Sequence, residues 1–183
     1  MWQIVGQMHL DSLESAHQLV GVGPGSRTAT QQINQAYAVL LSSHFQGFCR
    51  DLHSECADHF VQSVSNPQVR STLHASLVQN RKLDRGNPNP GNIGADYNRL
   101  GLLFWDEVLS VDIRNKGRQD RLEELNKWRN AIAHQDFDPM VLGTTTLRLR
   151  DVRQWRNACN QLATRFDEVM RGWLETANGV SPW

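Results

Sequence analysis

The chain has 183 residues, with 19 basic side chains (Lys and Arg) and 19 acidic ones, so its formal net charge is zero. That length supports one full hydrophobic core, and no shift in composition divides the chain, so we predict a single domain over residues 1–183. Zero net charge excludes a strong, indiscriminate nucleic-acid binder, because such affinity comes mainly from Lys and Arg that neutralise phosphates. Local basic patches must hold any nucleic acid that binds.

We expect neither export nor membrane insertion for this protein. Residues 1–7 form neither a basic nor a continuously apolar segment, and no later stretch has the length of a membrane span. Cys49 and Cys56 stand seven residues apart on one predicted helix, about 10 Å along its axis, which is too far for a disulfide. We therefore predict a cytoplasmic protein in a reducing compartment, without membrane contact.

The N-terminal half is predicted to be helical. Residues 7–20 form a first helix that ends at the Gly-rich stretch 21–26, which lacks the Lys-Ser/Thr ending and the preceding strand of a phosphate-binding loop. From 28 to 64 apolar residues recur at spacings of three and four, which is typical of a buried helical stripe. A shorter helix follows to about residue 82. Stretch 84–92 is rich in Gly, Pro and Asn, and we predict an exposed loop.

The C-terminal half continues this pattern. We predict a short helix over 97–104, which 105–113 extends or follows as irregular chain, and a helix that starts near Asp120. The last helix, over 149–174, has the most regular apolar stripe. The sequence therefore predicts an all-α, up-and-down bundle of about five to seven helices with no significant sheet.

Cys49, His53 and Cys56 occupy positions i, i+4 and i+7, which would put three potential metal ligands on one helical face, with His59 nearby. Structural zinc ligands usually come from short loops, whereas both cysteines fall within the apolar stripe. Cysteine is also among the residues most often buried without chemistry. We favour core packing and expect no metal site and no cofactor.

The helix that starts near Asp120 carries an unusual polar group at its C-terminal end, where 137–139 should stop it. Asn130 and His134 are four residues apart and share a face. Arg129 and His134 are five apart, about 140° around an ideal helix, so they converge only if the Arg side chain reaches round or a second chain supplies one of them. The neighbouring apolar stripe comprises Leu122, Leu125, Trp128 and Ile132.

This pattern resembles the Arg-x4-His motif of the HEPN superfamily, in which the residue after the Arg is usually polar and often Asn. The order of elements is similar to that of the RiboL-PSP-HEPN group in particular. Stretch 36–41 (Ala-Tyr-Ala-Val-Leu-Leu) begins a long N-terminal helix, and a Trp-bearing final helix follows the motif helix. The likeness covers most of the chain.

The resemblance implies a helical bundle that dimerises with both motifs lining one cleft. It also implies, as in many members, a metal-independent endoribonuclease that leaves 2′,3′-cyclic phosphate ends. His134 would then serve in acid–base chemistry, while Arg129 and Asn130 would handle the scissile phosphate. Several HEPN toxins carry a Tyr two residues after the motif His, which a nucleotidyltransferase antitoxin modifies. This sequence has Asp136 there. RNA, a second copy of the chain and, for a toxin, an antitoxin are the implied partners.

Basic residues gather in three places: at 81–85, before the motif helix, and at the start of the last helix. Such runs usually form solvated faces. If RNA binds, the cluster that leads into the motif helix is the favoured contact, because phosphate contacts position a strand without reading its sequence. That cluster comprises Arg114, Lys116, Arg118 and Arg121. Trp128 could stack on a base, but its place in the apolar stripe favours the core.

Two alternatives stay open. Other HEPN members have lost catalysis, so the chain could be a non-catalytic module that binds RNA or protein. In a plain helical interaction protein, His134 would only cap the end of its helix, and substitutions at the motif would merely destabilise the bundle.

Overall fold

The structure, a computed structural model, describes residues 5–179 and 182; residues 1–4, which belong to the segment considered for an export signal, lie outside it. The described residues contain eight α-helices and no strand, so the predicted all-α bundle is confirmed. The helices are α1 (Val5–Leu19), α2 (Ser26–Val61), α3 (Pro67–Val78), α4 (Pro90–Tyr97), α5 (Phe104–Val111), α6 (Asn115–His134), α7 (Pro139–Leu142) and α8 (Leu149–Asn178). None of them is long and apolar enough to cross a membrane.

The long helices α2, α6 and α8 pack around one hydrophobic core. Aromatic rings fill its centre, where Tyr97 stacks on Phe104 with ring centroids 4.2 Å apart and Phe104 meets Phe166 edge-on at 4.8 Å. Phe45 of α2 lies against Phe166 of α8 at 6.0 Å. Burial of such large apolar side chains is the main favourable contribution to folding, since each stabilises the fold by roughly 1.5–3 kcal/mol.

The predicted exposed loop over 84–92 is wrong in part. Pro88 is buried, and α4 begins at Pro90 because the side chain of Asn89 accepts a hydrogen bond from the backbone N–H of Asn92 at 2.8 Å. An Asn N-cap followed by Pro at the first helical position is a start signal for a helix, and Asn66 and Pro67 begin α3 in the same way. A 3-10 turn, Lys82–Asp84, precedes this segment.

The predicted helix over 97–104 is also wrong. That stretch contains a 3-10 turn, Asn98–Leu100, and then Gly101, whose φ of 93° ends the turn. Residues with positive φ are usually Gly, because a Cβ atom clashes there. Helix α5 begins only at Phe104, so two short helices, α4 and α5, flank the stretch for which the sequence predicts one helix.

Helix α6 begins at Asn115, five residues before the predicted start near Asp120. The side chain of Asp112 accepts a hydrogen bond from the backbone N–H of Arg114 at 3.0 Å, and Asn115 donates from Nδ2 to the carbonyl of Val108. These contacts fix the short connection between α5 and α6. Lys116 and Arg118 therefore lie within the motif helix, and Arg114 lies at its N-cap, rather than before it.

The core contains Cys49, His53 and Cys56, as predicted for side chains that pack in the core. Both cysteines are free thiols whose pKa burial raises. The Nε2 atom of His53 lies 3.1 Å from the carbonyl oxygen of Asp96, and its Nδ1 atom lies 3.4 Å from Nη1 of Arg81. Burial, assisted by the Arg81 guanidinium, lowers the pKa of His53 to about 4.

Candidate functional site

The C-terminal end of α6 is fixed by backbone hydrogen bonds just after His134. The N–H of Asp136 donates to the carbonyl of Ala131 at 3.0 Å, and the N–H of Gln135 donates to that of Ile132 at 3.4 Å. Gln135 adopts the left-handed conformation, with φ 55°. This is the Schellman arrangement that ends many helices, usually with Gly at the left-handed position. It stops α6 at His134 itself, before the predicted stop at 137–139.

The three motif residues lie in the last two turns of α6. Asn130 and His134 are exposed and share one face, as their spacing predicts. Arg129 is half-buried and follows the buried Leu125 by four residues, so it lies on the side of α6 that faces the core. The continuous helix therefore keeps Arg129 about 140° away from His134 around the axis. The structure brings two of the three predicted site residues onto one face.

Arg129 and His134 make no side-chain hydrogen bond or ion pair with any residue that the structure describes. Arginine carries five N–H donors, and a half-buried one is usually satisfied within the fold. The hydrogen bonds and ion pairs of the described chain instead involve other arginines, such as Arg81 and Arg156. The polar groups of Arg129 and His134 are thus available to a ligand or to a second chain.

Asn130 is held by a residue that the sequence analysis missed. The Nδ2 atom of Asn87 donates to Oδ1 of Asn130 at 2.5 Å. Because this bond occupies the oxygen of Asn130, its own amide N–H groups are left to donate, and they make no hydrogen bond within the described part of the chain. Amide donors are suited to an anionic oxygen such as that of a phosphate.

The segment that carries Asn87 is itself fixed against the bundle. Nδ2 of Asn92 donates to the carbonyl of Asn87 at 2.8 Å, and Nε2 of Gln46 donates to the carbonyl of Gly86 at 2.9 Å. Nδ2 of the buried Asn126 in α6 donates to the carbonyl of Pro88 at 3.1 Å. Asn126 precedes Asn130 by one turn, so α6 contacts this segment twice. The capping pair Asn89-Pro90 is the signal in the sequence that could have predicted an ordered segment here.

The four basic residues predicted to contact RNA are each paired with a carboxylate. Asp112 binds both Nε of Arg114 and Nη1 of Arg118 at 2.9 Å, and the hydrogen bonds from Arg114 hold the pKa of Asp112 well below its usual range. The other two pairs are Lys116 with Asp120 at 3.2 Å and Arg121 with Glu124 at 2.8 Å.

These four residues also lie far from the motif within one chain. At 1.5 Å per residue, the positions from Arg114 to Arg121 are about 20–30 Å from His134 along the axis of α6. The structure therefore does not bring them together with the motif. Trp128, the candidate for base stacking, is only 5% exposed and packs near Phe137 and Trp155, with ring centroids 6.3 Å and 6.5 Å away.

Comparison with known families gives one result. The family model described as RiboL-PSP-HEPN matches residues 9–171, a range that runs from α1 into α8 and contains Arg129, Asn130 and His134. No curated protein and no solved structure matches the chain. Because the match covers most of the sequence and agrees with the all-α fold, the chain belongs to the RiboL-PSP-HEPN family.

Proposed function

We propose that this protein is a metal-independent endoribonuclease of HEPN type with Arg129, Asn130 and His134 at its active site. The 2′-hydroxyl of the RNA attacks the adjacent phosphate, the bond to the 5′-oxygen of the next nucleotide breaks, and a 2′,3′-cyclic phosphate and a 5′-hydroxyl remain. One proton leaves the 2′-hydroxyl and one reaches the departing 5′-oxygen. This chemistry needs groups that move protons and donors that stabilise the charged phosphorane.

Each motif residue has a role in this reaction. His134 transfers protons, since an imidazole can act as base or acid near neutral pH. Arg129 neutralises the phosphorane oxygens through its planar fork of N–H donors. Asn130, oriented by Asn87, donates from its amide to a phosphate oxygen. The observation that carries the proposal is that Arg129 and His134 end α6 with no partner among the described residues.

The protein acts as a homodimer in this proposal. Arg129 and His134 lie about 140° apart on one helix, and a second copy of α6 across a two-fold axis would place the His134 of one chain opposite the Arg129 of the other. A nuclease of this kind would serve as a toxin or defence effector in the cytoplasm, restrained by an antitoxin. With Asp136 in place of the regulatory Tyr, that antitoxin would act by binding rather than by modifying this position.

The test is incubation of mixed-sequence RNA with the wild-type protein and with His134→Ala, both in excess EDTA. The wild type should cut the RNA and leave cyclic phosphate ends, and His134→Ala should leave it intact with an unchanged melting temperature. His74→Ala is the matched control, because His74 lies on α3 and pairs with Asp58. Equal cleavage by wild type and His134→Ala would refute the assignment.

A non-catalytic HEPN module is the second candidate function. It is favoured by the carboxylates that pair with Arg114, Lys116, Arg118 and Arg121, since they leave little free positive charge on the N-terminal half of α6. This module would bind RNA or a protein without cutting RNA under any of the conditions above. Intact RNA with every variant, together with salt-sensitive RNA binding, would identify it.

A further inference from the structure

A groove of about 640 Å³ lies between the middle of α6, α7 and the N-terminus of α8. We call it the α6–α8 groove. It does not contain Arg129, Asn130 or His134, so it is a separate feature of the surface. Its charged lining consists of four basic residues, Arg121, Lys127, Arg148 and Arg150, and two acidic ones, Glu124 and Asp151.

Contacts within the groove engage both carboxylates. Glu124 accepts from Nη1 of Arg121 at 2.8 Å and from Nε1 of Trp155 at 3.1 Å through the same oxygen, Oε2. Asp151 lies 3.5 Å from Nε of its neighbour Arg150. Two positive charges of the lining, those of Lys127 and Arg148, therefore remain without a counter-charge.

Lys127 and Arg148 are exposed, and neither makes a side-chain hydrogen bond or ion pair with any residue that the structure describes. Arg148 is the N-cap residue of α8, and no side chain caps this end of the helix. The positive end of the dipole of a 30-residue helix adds to the positive charge of the two side chains. The groove is thus electropositive although the whole chain is neutral.

Lys127 connects the α6–α8 groove with the side of α6 that carries Asn130 and His134. Lys127 lines the groove and precedes Asn130 by three residues and His134 by seven, so all three lie on one side of the helix, within about 11 Å along its axis. On the opposite wall, α7 presents Met140, which is 90% exposed, and Val141, which is 57% exposed. The groove thereby combines cations with an apolar surface.

We propose that the α6–α8 groove binds single-stranded RNA next to the cleavage site, with its phosphates on Lys127 and Arg148 and its bases against Met140 and Val141. This inference rests on the proposed ribonuclease function and adds the path of the substrate. Single-stranded RNA is the fitting ligand because it offers anions along its backbone and flat apolar faces on its bases.

The experiment measures binding of a fluorescein-labelled 12-nucleotide oligouridine by fluorescence anisotropy at several salt concentrations. All variants carry His134→Ala so that the probe is not cut. The slope of log K against log salt is negative, and each lost phosphate contact should reduce its magnitude by about 0.7. Relative to 1 M salt, where the contact contributes nothing, this is about a fivefold weaker affinity at 0.1 M salt. We expect this change for Lys127→Gln and for Arg148→Gln, and twice the change in slope for the double variant.

The matched control is Arg171→Gln. Arg171 is an exposed residue near the other end of α8 and makes no ion pair within the described chain. Its substitution therefore removes the same charge at a site away from the groove. Affinity and slope should stay at the His134→Ala value. Groove variants that behave like Arg171→Gln would overturn the proposal. The proposal would also be overturned if Lys127→Gln and Arg148→Gln bound the RNA probe normally but no longer bound an oligoglutamate peptide that the His134→Ala protein binds. The groove would then be a site for an acidic protein.

The two proposals fail in distinguishable ways. If the protein with an intact His134 cuts RNA but the groove variants bind the probe normally, the ribonuclease assignment stands and the groove proposal falls. If no RNA is cut but binding depends on Lys127 and Arg148, RNA binding by the groove stands, whereas the ribonuclease assignment and the position of the groove next to a cleavage site fall. Melting temperatures should equal that of His134→Ala, because both side chains are exposed and unpaired within the described residues.

Discussion

The side chain of Asn87 donates a hydrogen bond to Oδ1 of Asn130 at 2.5 Å, although the two residues are 43 positions apart in the chain. This contact joins the segment before α4 to the second residue of the motif. It fixes the direction in which the amide N–H groups of Asn130 point, away from Asn87. In the proposed reaction Asn87 is therefore a positioning residue that touches no substrate and acts through Asn130.

Asn87→Ala should reduce kcat/KM for RNA cleavage by about fivefold, since a lost hydrogen bond of this kind costs about 1 kcal/mol. In an Asn130→Ala background the same substitution should have no further effect, because Asn87 acts only through Asn130. Asn157→Ala, at an exposed position of α8, is the control and should leave kcat/KM unchanged. Additive effects of the two substitutions would contradict this role.

Mixing Arg129→Ala with His134→Ala tests whether a site is shared between chains. If each site uses Arg129 of one chain and His134 of the other, a heterodimer of the two variants has one intact site and one doubly defective site. An equal mixture that exchanges subunits should then recover about a quarter of the wild-type cleavage rate, although each variant alone is inactive. No recovery after complete exchange would show that each site lies within one chain.

Gln135→Gly should raise the free energy of unfolding by about 0.5–1 kcal/mol. Gln135 holds a φ of 55° at the end of α6, where a side chain is strained and Gly is not. Gln135 also donates from Nε2 to the carbonyl of Ile132 at 2.8 Å, a bond that Gly removes. Gln135→Ala is the matched control, because it loses that bond and keeps the strain. Chemical denaturation should give Gln135→Gly a higher free energy of unfolding than Gln135→Ala. A lower value for Gln135→Gly would contradict the explanation by backbone strain.

His53 should make the stability of the protein depend on pH between about 6.5 and 4. The folded state holds His53 neutral down to a pKa of about 4, whereas the unfolded chain takes up this proton near pH 6.5. As the pH falls through this window the unfolded state binds more protons, so stability is lost, by up to about 3 kcal/mol.

Urea unfolding of the wild type and of His53→Gln at pH 7 and pH 4 measures this effect. His53→Gln should lose less stability than the wild type over the same interval, by up to about 3 kcal/mol. His74→Gln is the control: His74 pairs with Asp58 on the surface, and its variant should keep the dependence that His53 causes. Equal losses in wild type and His53→Gln would show that His53 does not carry the effect.

Sequence patterns predicted the long helices well because the signal is local. Apolar residues at spacings of three and four in 28–64 and 149–174 mark the sides of α2 and α8 that enter the core, and their bounds agree within a few residues. Most errors lie between 84 and 120, where the elements are short. There the Asn89-Pro90 pair resembles a loop but caps α4, since the same residues serve turns and helix starts. In addition, α6 ends at His134 rather than at 137–139, and the four-residue helix α7 was not predicted.

The spacing of opposite charges along α6 also carries structural information. The pairs Lys116 with Asp120 and Arg121 with Glu124 have the i, i+4 and i, i+3 spacings of helical ion pairs, so the sequence already predicts that these cations are neutralised. A search for basic clusters overlooks this, because it counts one sign of charge. The assignment of these residues to RNA stays a prediction.

By itself, the sequence determined the all-α fold, because helical periodicity is a pattern within single segments, and it determined the family through a match that runs over residues 9–171. Only the tertiary structure decided that Asn87 orients Asn130 and that Lys127 and Arg148 share one groove without a carboxylate partner among the described residues. These relationships join residues on different elements. They depend on how the helices pack, and helical periodicity shows which face of a helix is buried but not which residue of another element lies opposite it.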